Sequence, residues 1–171
     1  DVEPVAEDGA RVRGWLMLPE GASDASPAPL LLWIHGGPLN SWNSWSWRWS
    51  PALAVARGYA VLMPDPGLST GYGLDFIARG WNSWGGKPYT DLMSITDTVI
   101  ERGDIDETKV AAMGGSFGGY MANWVAGHTD RFAALVSHAT PWALDPFAGT
   151  TDNPPSRHPT PTPTAPAAHS P

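Results

Sequence analysis

Apolar residues fall along this chain in two rhythms. Unbroken apolar runs occur at Leu30–Ile34 and Tyr59–Met63. Short runs without alternation suit strands covered on both faces, as in a parallel sheet. Val12 to Leu18, Lys109 to Met113 and Phe132 to Ser137 read as further strands. The second rhythm is helical. Leu92, Ile95, Thr96 and Val99 stand at i, i+3, i+4 and i+7, which predicts a helix over Thr90 to Arg102. Thr90 is suited to cap its start and Gly103 its end. Pro51 to Arg57 reads as a short helix opened by Pro and stopped by Gly58. Met121, Trp124, Val125 and His128 take helical spacing too. Strands and helices therefore alternate, and no internal repeat is seen. This order predicts an α/β fold, a mostly parallel sheet with helices on both faces.

The texture divides the chain into three parts. Residues 1–10 are polar and without period, and read as a linker. Residues 11–149 carry the alternating elements. Residues 150–171 hold Pro and Thr in alternation from Pro159 to Thr164 and no aliphatic residue larger than Ala. Nothing in that tail offsets the entropy of ordering a core, so an extended, disordered segment is expected. The abrupt change reads either as a shifted reading frame near Thr150 to Asn153 or as a genuine Pro-rich extension.

Composition narrows the chemistry. With 171 residues the chain suits one domain. A net charge of −7 disfavours nucleic acid as a partner. Cysteine is absent, which removes disulfides, thiol nucleophiles and thiolate metal sites. No apolar run approaches the roughly 20 residues of a membrane span, and no signal pattern follows Asp1. A soluble, cytoplasmic protein without a membrane partner is expected.

One segment carries a specific reaction chemistry. Gly114-Gly115-Ser116-Phe117-Gly118 matches G-x-S-x-G. An apolar strand precedes it and an amphipathic helix follows, the setting of a nucleophile elbow. The turn is sharp, so its flanks need residues without side chains. Ser116 then projects above the sheet at a helix N-terminus. The bland reading is a Gly-rich turn with no chemistry.

Acyl transfer also needs two N–H donors aimed at the developing oxyanion. One is expected from Phe117, the residue after the nucleophile. The other is expected from His35-Gly36-Gly37-Pro38, which ends an earlier strand. Gly37 is the candidate donor, with Gly36 close behind.

These words, with Ser69-Thr70-Gly71-Tyr72-Gly73 and the continuation Gly119-Tyr120, stand in the order and spacing of a known family. Residues from about 11 to 149 resemble the catalytic domain of the prolyl oligopeptidase family of serine peptidases. The likeness is strongest to its acylaminoacyl-peptidase and dipeptidyl-aminopeptidase branches. The resemblance implies an α/β-hydrolase fold and a serine-type peptidase that cleaves short peptides through an acyl-enzyme. An esterase on the same fold is the first alternative. A catalytically dead fragment or binding module is the second. The family often has Arg-Gly where this chain has Gly67-Leu68, so whatever that Arg contacts is expected to lack support. Family members usually carry an N-terminal β-propeller, of which residues 1–10 would be a linker.

In this fold the triad runs Ser, then Asp or Glu, then His. Each further β-α-β step takes roughly 30 residues. Only residues 117–171 follow Ser116, and the last of these are the Pro/Thr tail. The triad Asp and His are therefore expected to be absent, the sheet incomplete at its C-terminal edge, and the chain a truncated, poorly active fragment. Asp145 and His138 are weak substitutes for them. His128 is expected to pack, and His158 and His169 lie in the tail.

The remaining features point less sharply. Trp42, Trp45, Trp47 and Trp49 follow the HGGP loop, and packing of that loop onto the first helix is the favoured reading. Pocket wall is the functional one. Trp81 and Trp84 share the ambiguity. Asp104, Asp106 and Glu107 lack calcium-loop spacing and read as a solvated turn. Gly71-Tyr72-Gly73 lacks the third glycine and the immediate helix of a dinucleotide site. No cofactor and no metal is expected.

Overall fold

A computed structural model of the chain describes residues 1–144. Its centre is a five-stranded sheet in the order β1-β3-β2-β4-β5. The strands are β1 (Arg13–Met17), β2 (Ala28–Ile34), β3 (Ala60–Asp65), β4 (Ile105–Gly115) and β5 (Ala134–His138). The helices are α1 (Ala52–Val55), α2 (Leu74–Ala78), α3 (Lys87–Ile100) and α4 (Phe117–Ala126). All pairings are parallel except β1 with β3. That exception has a physical basis. The β1–β2 connection carries no crossover helix, and β1 crosses to the far side of β3 as an antiparallel edge strand.

The two faces of β2 are covered differently. Leu30, Leu32 and Ile34 are buried and pack with Leu92, Ile95 and Val99 of α3 and Phe117 and Met121 of α4. Leu31 and Trp33 point the other way and are half-buried, against Val61, Met63, Trp42 and the α1 residues Ala54 and Val55. The interior strand β3 is buried throughout, as its unbroken run predicts. Helix α3 buries Leu92, Ile95, Thr96 and Val99, the four residues of its predicted stripe. Its start differs from the expected one. Thr90 does not cap the helix but lies inside it, its hydroxyl donating to the Lys87 carbonyl at 3.1 Å. Gly86 holds the cap position and Pro88 pre-sets the first turn.

β4 starts four residues earlier than its apolar run. Its register against β2 slips between Pro29 and Leu30, so Pro29 faces Asp106 while Leu30 faces Val110. The slipped residues are polar and exposed, which hid them from a hydrophobic reading. Asp106 there accepts from Lys109 Nζ at 2.7 Å, and Asp104 pairs with Arg102. The acidic trio thus opens a strand. The short helix α2 was not expected from the sequence, and it does follow Gly71-Tyr72-Gly73 directly.

The first ten residues fold back along β1. Val2 and Gly14 exchange backbone hydrogen bonds of 2.9 and 2.8 Å. β5 borders the sheet among the described residues, and every residue of it is exposed. Asp145, His158, His169 and the Pro/Thr tail lie outside the described residues. Among the described residues, no helix is long and apolar enough to cross a membrane.

Candidate active site

The strand order sets where a site can form. β2 leads through α1 to β3 on one side, and β4 leads through α4 to β5 on the other. The loops after β2 and β4 thus diverge, and a crevice opens at their C-terminal ends. The HGGP loop and Ser116 lie at these two ends.

Ser116 is the N-cap of α4, at φ 56° and ψ −120°. A residue with a side chain rarely adopts that conformation, and it persists only where surrounding packing holds it. Here the packing is backbone against backbone. A Cβ on Gly118 would lie 2.1 Å from the Ile34 carbonyl oxygen, and one on Gly114 would lie 2.3 Å from Gly118. The glycines let α4 start directly against the end of β2. Ser116 N–H donates to the His138 carbonyl at 2.9 Å, which ties the elbow to β5. As the first helical residue, Phe117 has an N–H with no intrahelical acceptor.

A cavity of about 270 Å³ opens beside Ser116. Gly36 lines it with Ser116, and a Cβ on Gly36 would stand 3.5 Å from that of the serine. Gly37, at φ 139°, packs against its own loop, where a Cβ would meet Leu39 N at 2.7 Å. His138 lines the same cavity, exposed, at the end of β5. Among the described residues, no imidazole is hydrogen-bonded to the Ser116 hydroxyl. His128 is exposed, beyond the end of α4, rather than on its buried face. Its ring stacks on Trp124 at 4.2 Å and its Nδ1 reaches the Trp124 carbonyl at 2.7 Å.

Beneath the HGGP loop lies a buried polar network that the sequence did not disclose. His35 Nδ1 lies 2.8 Å from the Gly36 carbonyl, which can only accept, so Nδ1 carries the proton. Nε2 is then the acceptor for the Ser69 hydroxyl at 2.9 Å. Asp65 takes the Trp42 N–H on one oxygen at 2.7 Å and the Tyr72 hydroxyl on the other at 2.5 Å. Burial and that bond hold the Tyr72 phenol above its ordinary range. The Ser-Thr-Gly-Tyr-Gly motif therefore braces the HGGP loop from below. The remaining tryptophans divide. Trp42 is buried and donates to the Trp33 carbonyl at 3.0 Å, while Trp47 is 99% exposed. Trp42 and Trp49 line the cavity. Trp84 packs edge-on against Phe117 at 5.2 Å, beneath the elbow.

Burial depresses the His35 pKa despite the nearby Asp65 carboxylate. A depressed histidine binds its proton more readily in the unfolded chain, so stability falls with falling pH. The loss is expected to begin near pH 6.5, with a slope of up to about 1.4 kcal/mol per pH unit. Arg79 holds Asp8 near pKa 2, so that carboxylate enters only below about pH 4. Thermal midpoints measured from pH 7.5 to 5 should fall for the natural chain and stay flatter for His35→Gln.

A serine held at a strained strand-to-helix turn, on a mostly parallel sheet and facing a glycine loop, defines an α/β-hydrolase domain. Comparisons with known proteins agree. The prolyl oligopeptidase family model matches residues 45–162, and the chain belongs to that family. The match runs past Thr150, where the resemblance was expected to stop. Dipeptidyl-peptidase 5 of Trichophyton equinum is 44% identical over 144 residues, covering 81% of this chain. A puromycin-hydrolyzing peptidase of Mycobacterium tuberculosis superposes with a TM-score of 0.81 at 26% identity, over 90% of this chain and 24% of its own. The Pyrococcus horikoshii acylaminoacyl peptidase gives 0.74 at 25% identity, over 81% and 22%. The chain spans about a fifth of the length of the curated relatives it matches.

Proposed function

We propose that Ser116 is the nucleophile of a serine-type peptidase acting on short peptides through an acyl-enzyme. The observation that carries this is the serine's backbone at φ 56°, ψ −120° on the N-cap of α4, facing Gly36 across an open cavity. Ser116 Oγ attacks the scissile carbonyl carbon and its proton passes to a base. The C–N bond breaks and the amine leaves with that proton. Water then hydrolyses the ester. The Phe117 N–H and an N–H of the HGGP loop, Gly37 or its neighbour Gly36, stabilise the oxyanion. The described residues bring no base to the hydroxyl, so residues 1–144 alone would acylate slowly. His138 lines the cavity with Ser116 but makes no hydrogen bond to its hydroxyl, and Asp145 has no described position.

The test compares a dipeptidyl anilide with a dipeptidyl ester of the same acyl group, read as covalent adduct by intact mass. Both should acylate Ser116 and neither should acylate Ser116→Ala. An adduct from the ester alone would favour an esterase. No adduct from either would remove the serine reading.

A further inference from the structure

The cavity beside Ser116 carries a charge that the acyl-transfer chemistry does not use. Arg48 lines it, with its guanidinium 5.1 Å from the centre of the Trp49 ring. The rest of its described lining is aromatic, aliphatic and neutral polar, with no Asp or Glu. Among the described residues Arg48 forms no ion pair and no hydrogen bond, while seven of the other arginines and lysines are paired with carboxylates. Arg48 is exposed, so its guanidinium is open to an anion entering the cavity. Trp49 also packs edge-on against Trp33, with ring centres 6.3 Å apart, which supports the ring under the guanidinium.

We infer that Arg48 is a specificity-determining residue that binds a carboxylate of the substrate beside the Ser116 centre. The planar guanidinium suits bidentate pairing with a carboxylate, and the stacked ring pre-orients it. Trp33, Trp42 and Trp49 form the apolar wall against which the adjoining part of the substrate rests. The carboxylate belongs either to an acidic acyl group or to the C-terminus of a short peptide. Both sources present the same group to Arg48. The inference rests on the reading of Ser116 only for where the carboxylate stands relative to the scissile bond.

Binding can be measured without chemistry. Intrinsic tryptophan fluorescence is titrated with two pairs of probes, each acid against its neutral amide. N-succinyl-alanine amide against N-succinamoyl-alanine amide places the carboxylate on the acyl side. Acetyl-alanyl-alanine against its C-terminal amide places it on the leaving side. The acid of one pair should bind about tenfold or more tighter than its neutral partner, the worth of one charge-assisted hydrogen bond. The pair that shows it identifies the source. Arg48→Met should erase the preference while keeping affinity for the neutral probes, Arg48→Lys should keep part of it, and Ser116→Ala should leave it intact. Equal affinities for acid and neutral probes in both pairs, or a preference that survives in Arg48→Met, would overturn the inference. A preference lost with Arg48 in a protein whose Ser116 never acylates would sink the serine reading and leave the carboxylate site standing.

Discussion

Replacing Arg79 with methionine should cost about 3–5 kcal/mol of stability, the usual loss when one partner of a buried ion pair is removed. Arg79 grips both oxygens of Asp91, at 2.8 Å each, and both of Asp8, at 2.9 and 3.0 Å. The Asp91 side chain is fully buried on α3. Without the guanidinium it would keep only the Gly67 N–H, at 2.8 Å, against a buried negative charge. These bonds also hold the Arg79 pKa above its ordinary value. Urea unfolding of Arg79→Met measures the loss. Pairing it with Asp91→Leu should recover most of the deficit, because the apolar pair leaves no charge uncompensated. A loss below about 1 kcal/mol in the single variant would show that the pair does not hold α2, α3 and the Gly67 loop together.

Gly118→Ala should be comparably damaging, at about 3 kcal/mol or beyond, and should disturb the site as well as the fold. The added methyl would stand 2.1 Å from the Ile34 carbonyl oxygen and 2.8 Å from that of His35. Both are backbone atoms at the end of β2, so no rotamer change relieves the clash. The strand end would have to retreat from α4, carrying Gly36 away from Ser116. Gly127→Ala is the control. Its methyl would meet nothing closer than 3.7 Å and its φ is −88°. Circular dichroism melts should show a large fall for the first variant and little change for the second. Equal melts would mean that the contact between elbow and loop is not close.

Much of this arrangement could be read in the residues because it is local. The stripe Leu92, Ile95, Thr96 and Val99 faces the core as spaced, and the glycines around Ser116 mark a turn that tolerates no Cβ. What escaped was non-local. The antiparallel placement of β1 is settled by pairing with β3, and no feature of Arg13–Met17 announces it. Thr90 looked like a cap because its side chain can serve as one, but Pro88 starts the helix earlier.

The Gly67-Leu68 departure is the clearest case. The missing arginine suggested an unsupported contact, yet Arg79 arrives from α2. Its side chain would lie within 3.7 Å of a Cβ on Gly67. Leu68 takes φ 82°, a conformation that favours glycine, while its side chain is buried in the core. The network of His35, Ser69, Asp65 and Tyr72 was invisible for the same reason. It joins residues from two loops and a strand end, and each of them alone has an ordinary meaning.

The central claim is that Ser116 is a nucleophile held in a working elbow. It is tested most directly by incubating the folded protein with a fluorophosphonate and mapping the adduct by peptide mass. The account predicts one slow, stoichiometric adduct on Ser116, absent from Ser116→Ala and absent from the buried Ser69. A folded protein that forms no adduct, or that is labelled at another serine, would contradict it.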